Sequence, residues 1–137
     1  MGDITVTAAQ VAVVFPEQCE IYNVKLAAAA TKGQALYLTA AGTYNLADAS
    51  VTGTAQVRGL ALEAGAAGQT ISMLKRGVVA GFTLATYGDF VYLSDTAGAL
   101  STVAGTITVQ AGHVVQLADP GLTEVLYFEA DWLRAWS

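Results

Sequence analysis

The chain has 137 residues, of which 54% are apolar and only 12% charged, and its net charge is -5. That length suggests one domain, large enough to bury a core without metal or disulfide staples. Charged residues are about half as frequent as in an ordinary soluble domain, and Ala, Gly and Thr leave a surface that a neighbour is expected to cover. With six basic residues, and Lys75-Arg76 the only adjacent pair, the chain lacks the clustered cations that phosphate neutralisation or docking on anionic membranes needs. Neither nucleic acid nor membrane is expected as a partner.

The first thirty residues read as an extended arm or edge strands, or equally as an ordinary first strand of a barrel. Ile4-Thr5-Val6-Thr7 and Val11-Ala12-Val13-Val14-Phe15 have strand composition, and Pro16 interrupts the second. Met1-Gly2-Asp3 shows neither the charged nor the apolar part of a signal peptide, so synthesis in the cytoplasm is expected. Cys19 is the single cysteine. It is read as a small buried residue or, alternatively, an intersubunit bridge. Glu20 to Leu26 alternates apolar and polar residues as a half-buried strand does. Ala27 to Ala30 is an alanine run compatible with one helical turn.

From Thr31 the chain uses one pattern twice. Thr31-Lys32-Gly33-Gln34-Ala35-Leu36-Tyr37-Leu38-Thr39 is echoed by Thr86-Tyr87-Gly88-Asp89-Phe90-Val91-Tyr92-Leu93-Ser94. Each copy is followed by a small-residue turn and then by a glycine among apolar residues, Gly59 in the first and Gly112 in the second. A further turn leads each to a last apolar strand, Ile71 to Leu74 and Val125 to Phe128. The first unit is placed at 31–76 and the second at 77–131. Arg76 to Phe82 bridges the units, and the repeat proper of the second starts at Thr83. Ala41 to Asp48 is read as a surface excursion. Asp119-Pro120-Gly121 signals a turn, because Pro fixes φ at its second position and Gly accepts a positive φ at its third. Short strands between glycine turns, with no sustained helical period, indicate an all-β fold: a small barrel or sandwich built from two similar β units.

The tail, 132–137, changes character, with both tryptophans of the chain and Leu133. A buried Trp removes about 150–250 Å² from water, roughly 4–6 kcal/mol by area. Against an association cost of about 4–15 kcal/mol, one ring is too little, but two rings and an added β-strand suffice. The expected interaction residues are therefore Ile4, Val6, Val11, Val13 and Phe15 in the arm with Trp132, Leu133 and Trp136 in the tail. The competing reading has the tail fold back over its own core.

No catalytic, cofactor-binding or metal-binding residue is expected, and so no enzyme. His113 is the only histidine, and no nucleophile motif lies near it. Asp89, Asp95 and Glu124 are read as solvated loop charges. Gly65 to Gly68 lacks the Lys-Ser/Thr of a phosphate loop.

The repeated Gly-x-x-Val/Leu-Tyr-Leu-Thr/Ser, the Val-x-Gly-x-Ala/Val step, the Ala-Gly loop and the strand ending at Lys75-Arg76-Gly77 resemble the small capsid cement (decoration) proteins of tailed bacteriophages, over about residues 31–128. The resemblance implies a non-enzymatic protein on the outer surface of the virion head, often a homotrimer, that clamps neighbouring subunits of the major capsid protein. A phage tail, fibre or baseplate β module and a carbohydrate-binding β-sandwich are the alternatives.

Overall fold

A computed structural model describes residues 3–84, 86–117 and 125–130. The chain is nearly all β and forms a curled antiparallel half-barrel. Its strands are β1 (Ala12–Val14), β2 (Glu20–Lys25), β3 (Ala35–Leu38), β4 (Tyr44–Leu46), β5 (Val57–Ala61), β6 (Thr70–Ala80), β7 (Phe90–Leu93), β8 (Leu100–Ser101), β9 (Gln110–Val115) and β10 (Val125–Glu129). They hydrogen-bond in the order β4-β3-β5-β6-β10-β9-β7-β8, with β1 and β2 also paired to β6.

The strands that carry the repeat pair in the same register in both units. Leu36 stands opposite Gly59 and Tyr37 opposite Val57, with a bulge between them; Val91 stands opposite Gly112 and Tyr92 opposite Gln110, with a bulge at the same place. Leu60 and Leu74 are paired as His113 and Tyr127 are, and Ala61 and Met73 as Val114 and Leu126 are. The entry turns match too. The N–H of Gly33 donates to the carbonyl of Ala61 and that of Gly88 to Val114, and both glycines have φ above +80°.

Gly59 and Gly112 have a steric reason to be glycine. A Cβ on Gly59 would lie 2.6 Å from the Leu74 carbonyl oxygen, and one on Gly112 would overlap the carbonyl oxygen of Tyr127, the residue equivalent to Leu74. In both units the glycine-bearing strand (β5 or β9) passes too close to the last strand for any side chain at that position.

The repeat also reaches further upstream than its sequence pattern does. Leu74 faces Leu60 on one edge of β6 and Ile21 on the other, while Val79 faces Leu126 and Val13. One edge of β6 therefore carries β2 and β1 in succession, and the other carries β5 and then β10. Tyr22 opposite Met73 has the same place relative to the first unit as Val79 opposite Leu126 has relative to the second. The arm is thus extended along β6 and its β2 supplies the opening strand of the first unit. The second half of β6 opens the second unit.

The long strand changes inward face where the units join. Leu74 and Val79 are an odd number of residues apart, yet both are buried in the same core. The register shift around Lys75, with Gly77 at φ +147°, turns the strand over. At this fork Arg76 stands between Glu20 and Glu129 on the two neighbouring strands and pairs with both, at 2.7 and 3.4 Å.

Several expectations need correction. The alanine run forms no helical turn; the chain bends at Ala27 and Ala28, and Ala27 and Ala30 hydrogen-bond to Tyr44 and Gly65 in other segments. Ala41 to Asp48 is only partly an excursion, because Tyr44–Leu46 is β4 and Ala47 is fully buried. Ile4-Thr5-Val6-Thr7 is not a strand. It is tied by single bridges at Asp3 and Val6 and by bonds from Ile4 and Thr7 to Leu100 and Gly81. The Asp119-Pro120-Gly121 turn lies outside the described residues.

Candidate interaction face

The two units are joined through β6 in one curled sheet and share a core across it. Ala35, Val57, Leu60 and Leu74 on one face of the first unit share a single core with Val91, Leu93, Val114, Leu126 and Phe128 on the opposite face of the second. Thus one unit's inner face covers the other unit's outer-type face. A smaller cluster around Leu36, Ala61, Ile71 and Met73 closes the far side of the first unit beneath Val24, Leu26 and Ala30.

Among the described residues, no buried apolar cluster covers the other face of the second unit. Residues equivalent to the fully buried Ala35, Leu60 and Leu74 are Phe90, His113 and Tyr127. Phe90 is 51% exposed, and His113 and Tyr127 are half-buried. Registers join them into one row across the strands: Phe90 beside His113, His113 beside Tyr127, Tyr127 beside Val78 and Val78 beside Val14. With strands about 4.8 Å apart, the row is roughly 19 Å long. His113 and Tyr127 are tilted against each other with ring centroids 5.4 Å apart. Burial, and next to it the charge of Glu129, raises the Tyr127 hydroxyl above the ordinary phenol range, so it stays a neutral donor. Half-buried Tyr92 lies on the same face two residues from Phe90, and exposed Tyr87 lies just upstream.

The arm residues expected to reach beyond the fold divide. Ile4 and Val11 are buried in the shared core, and Val6 and Val13 pack partly against it, so their apolar character is used at least in part within the chain. Phe15 follows β1, next in the chain to Val14 of the row, and is 40% exposed, with a left-handed backbone (φ +56°) that no other described non-glycine residue adopts. Such a conformation costs about 1–2 kcal/mol in an L-residue. Trp132, Leu133 and Trp136 lie outside the described residues.

The remaining polar groups are tied into loops. Asp95 accepts from the N–H and hydroxyl of Thr106 at 2.9 and 2.8 Å, and Asp48 accepts from Ser50 and Thr54. Burial pushes the Asp48 carboxyl up, but these donors outweigh it and hold the group below its ordinary range. Cys19 is half-buried against Gly77, with its thiol raised by burial and therefore weakly reactive. Glu124 lies outside the described residues. Among those described, no three His, Cys, Asp or Glu side chains form a metal-binding group.

The Phe90–His113–Tyr127 row is absent from the residues that sequence reasoning selects. A signal for it is nevertheless present: aligning the units shows Ala35, Leu60 and Leu74 replaced by a phenylalanine, a histidine and a tyrosine. No protein-family model, curated protein or solved structure matches the chain.

Proposed function

We propose that this chain is a non-enzymatic structural protein that docks as a subunit on a larger assembly, and that the open face of its second unit is the docking surface. One observation carries the reading: the same face is buried core in the first unit and only half-buried in the second, where it bears a row of aromatic and aliphatic side chains. Aromatic side chains on a rigid sheet lose little conformational freedom on binding and dominate interface energetics. Together with the resemblance of the repeat to capsid cement proteins, this points to the outer surface of a tailed-phage head. There the subunit bridges neighbouring copies of the major capsid protein, alone or as the homo-oligomer that such proteins form.

The test is co-sedimentation with undecorated heads, comparing the natural chain with Phe90→Ser and Tyr127→Ser. An aromatic anchor of an interface is worth about 2 kcal/mol or more, so each variant should bind about 30-fold more weakly. Binding unchanged by both substitutions would refute the assignment of the face. A second reading is favoured by the same row: aromatic rings on a sheet face beside a histidine also form a platform for sugar rings. Glycan-dependent protection of Phe90 and Tyr127, with no binding to heads, would select it instead.

A further inference from the structure

The two units close their sheets differently. In the first the edges meet directly: Leu26, just past β2, is bridged in parallel to Tyr44 at the start of β4, and the Ala27 N–H donates to the Tyr44 carbonyl at 2.7 Å. Counting on from the equivalence of Tyr22 and Val79, Leu26 corresponds to Thr83. Tyr44 corresponds to Leu100, since Tyr44 stands opposite Leu38 as Leu100 stands opposite Leu93. Among the described residues Thr83 and Leu100 form no such bridge, because the arm runs between them. On one side of the arm the Thr83 N–H donates to the Thr5 carbonyl at 2.9 Å and the Thr7 N–H to the Gly81 carbonyl at 2.8 Å. On the other the Ile4 N–H donates to the Leu100 carbonyl at 2.8 Å. Asp3 is bridged to Ser101, and its carboxylate accepts from the hydroxyl of buried Ser94 at 2.5 Å. The second unit thus has a slot one strand wide, and the N-terminal arm fills it.

The arm is joined to the fold by a turn that little holds in place. Between the Ala12–Ala80 and Val6–Phe82 pairs, the arm spends Thr7 to Val11 where the facing strand spends Gly81 alone. The surplus is folded into a 3-10 turn, Ala8–Gln10, which buries no residue and has no side-chain cap. Its backbone bonds run from the Gln10 N–H to Thr7 and from the Val11 N–H to Ala8. Val11 is buried in the shared core and β1 is paired to β6, so the turn is a hinge and β1 its fixed end. Straightened at about 3.3 Å per residue, residues 3–11 reach about 30 Å from β1.

We propose that the arm is exchanged between copies of the chain: residues 3–7 of one copy fill the slot between Phe82–Thr83 and Leu100–Ser101 of a second. The slot is lined by main-chain groups, and the segment whose fit to it is seen is this arm, which every copy carries. An exchanged arm makes the same bonds as a retained one and gives up only those of the turn, so exchange is a low-cost route to a closed ring of copies. Short hinges invite such exchange. Neither Phe90 nor Tyr127 takes part, which sets the exchange apart from the docking face.

Cross-linking tests the proposal. Thr5 and Thr83 are exposed and stand opposite each other beside the Val6–Phe82 pair. Such a bonded pair has its Cα atoms about 5.5 Å apart, a separation that a disulfide spans. Cys19→Ser removes the only other thiol. In that background Thr5→Cys and Thr83→Cys are placed on separate copies, refolded together at about 1 mM, the effective concentration of a short tether, and oxidised. Exchange predicts a disulfide joining the two chains, at least tenfold more abundant than when Thr83→Cys is replaced by Val103→Cys at a 56% exposed position. Sedimentation equilibrium of the natural chain at the same concentration should show oligomers. Adding Phe90→Ser should change neither result, so loss of head binding and loss of exchange are separable. A natural chain that is monomeric at about 1 mM, or an interchain disulfide no more abundant than with Val103→Cys, would overturn the proposal. The second of these, with ready disulfide closure in a single chain carrying both Thr5→Cys and Thr83→Cys, would assign the slot to the chain's own arm.

Discussion

Replacing Gly59 or Gly112 by alanine should damage the two units alike. At Gly59 the new Cβ would sit 2.6 Å from both the carbonyl oxygen of Leu74 and Cγ of Met73. The Met73 side chain can swing aside, but the carbonyl belongs to a strand paired on both edges and cannot. At Gly112 the overlap is with the Tyr127 carbonyl oxygen and is more severe. Relief therefore needs the two strands to separate locally, at the cost of ladder hydrogen bonds and close packing. Over-packing of this sort costs about 1–3 kcal/mol, occasionally more, and we expect Gly59→Ala near the middle of that range and Gly112→Ala at or above its top. At about 2.1 cal/mol/K per residue, unfolding a chain of this length has an entropy of roughly 0.3 kcal/mol/K. The melting temperature should fall by about 7 °C for Gly59→Ala and by about 10 °C or more for Gly112→Ala, by differential scanning calorimetry. Gly53 is the control: a Cβ there would meet nothing within 4 Å, and its backbone is not left-handed. Gly53→Ala should shift melting by no more than about 2 °C. If Gly112→Ala melts with the natural chain, strand β9 does not approach β10 as described and the equivalence of the two units loses its physical basis.

Further expectations concern single groups. Asp48 has its folded pKa lowered by its donors, so the stability it contributes is full above the ordinary carboxylate range and is lost as pH falls through the lowered value. Asp48→Asn should therefore cost about 1 kcal/mol at pH 7, and urea titrations should show the deficit shrinking below about pH 4. Gly77→Ala would overlap the Cys19 thiol as well as strain a backbone at φ +147°, so it should lower stability by about 2–4 kcal/mol, and adding Cys19→Gly should restore part, not all, of the loss in a double-mutant cycle. Phe90→Ser, at a half-exposed position, should change the unfolding free energy by no more than about 0.5 kcal/mol whatever it does to binding.

The fold class was legible because glycine turns and short alternating strands leave no room for helices. The duplication was legible wherever a backbone constraint forces identity: the left-handed turns at Gly33 and Gly88, and the close approaches at Gly59 and Gly112. It was illegible for β2, since Ile21 and Tyr22 share only apolar character with Val78 and Val79, and strand pairing across the length of the chain leaves no local mark. The turning-over of β6 at Gly77 was hidden for a related reason. A bulge changes which residues face inward without changing composition, and a periodic reading carried through it assigns Val79 to the wrong side. Composition also misled at Ala27–Ala30, where bonds to Tyr44 and Gly65 outweigh the helical preference of alanine. The open face escaped notice because its residues are ordinary strand residues; only their equivalence to a buried set makes them unusual.

Hydroxyl-radical footprinting of Phe90, Tyr92 and Tyr127, read by mass spectrometry on the free protein and on protein bound to undecorated heads, tests the central claim directly. An open docking face predicts labelling of all three in the free state and strong protection of all three on the particle, with exposed Val51 and Val103 labelled equally in both. Equal labelling of the three rings in the two states, on particles shown to carry the protein, would contradict it.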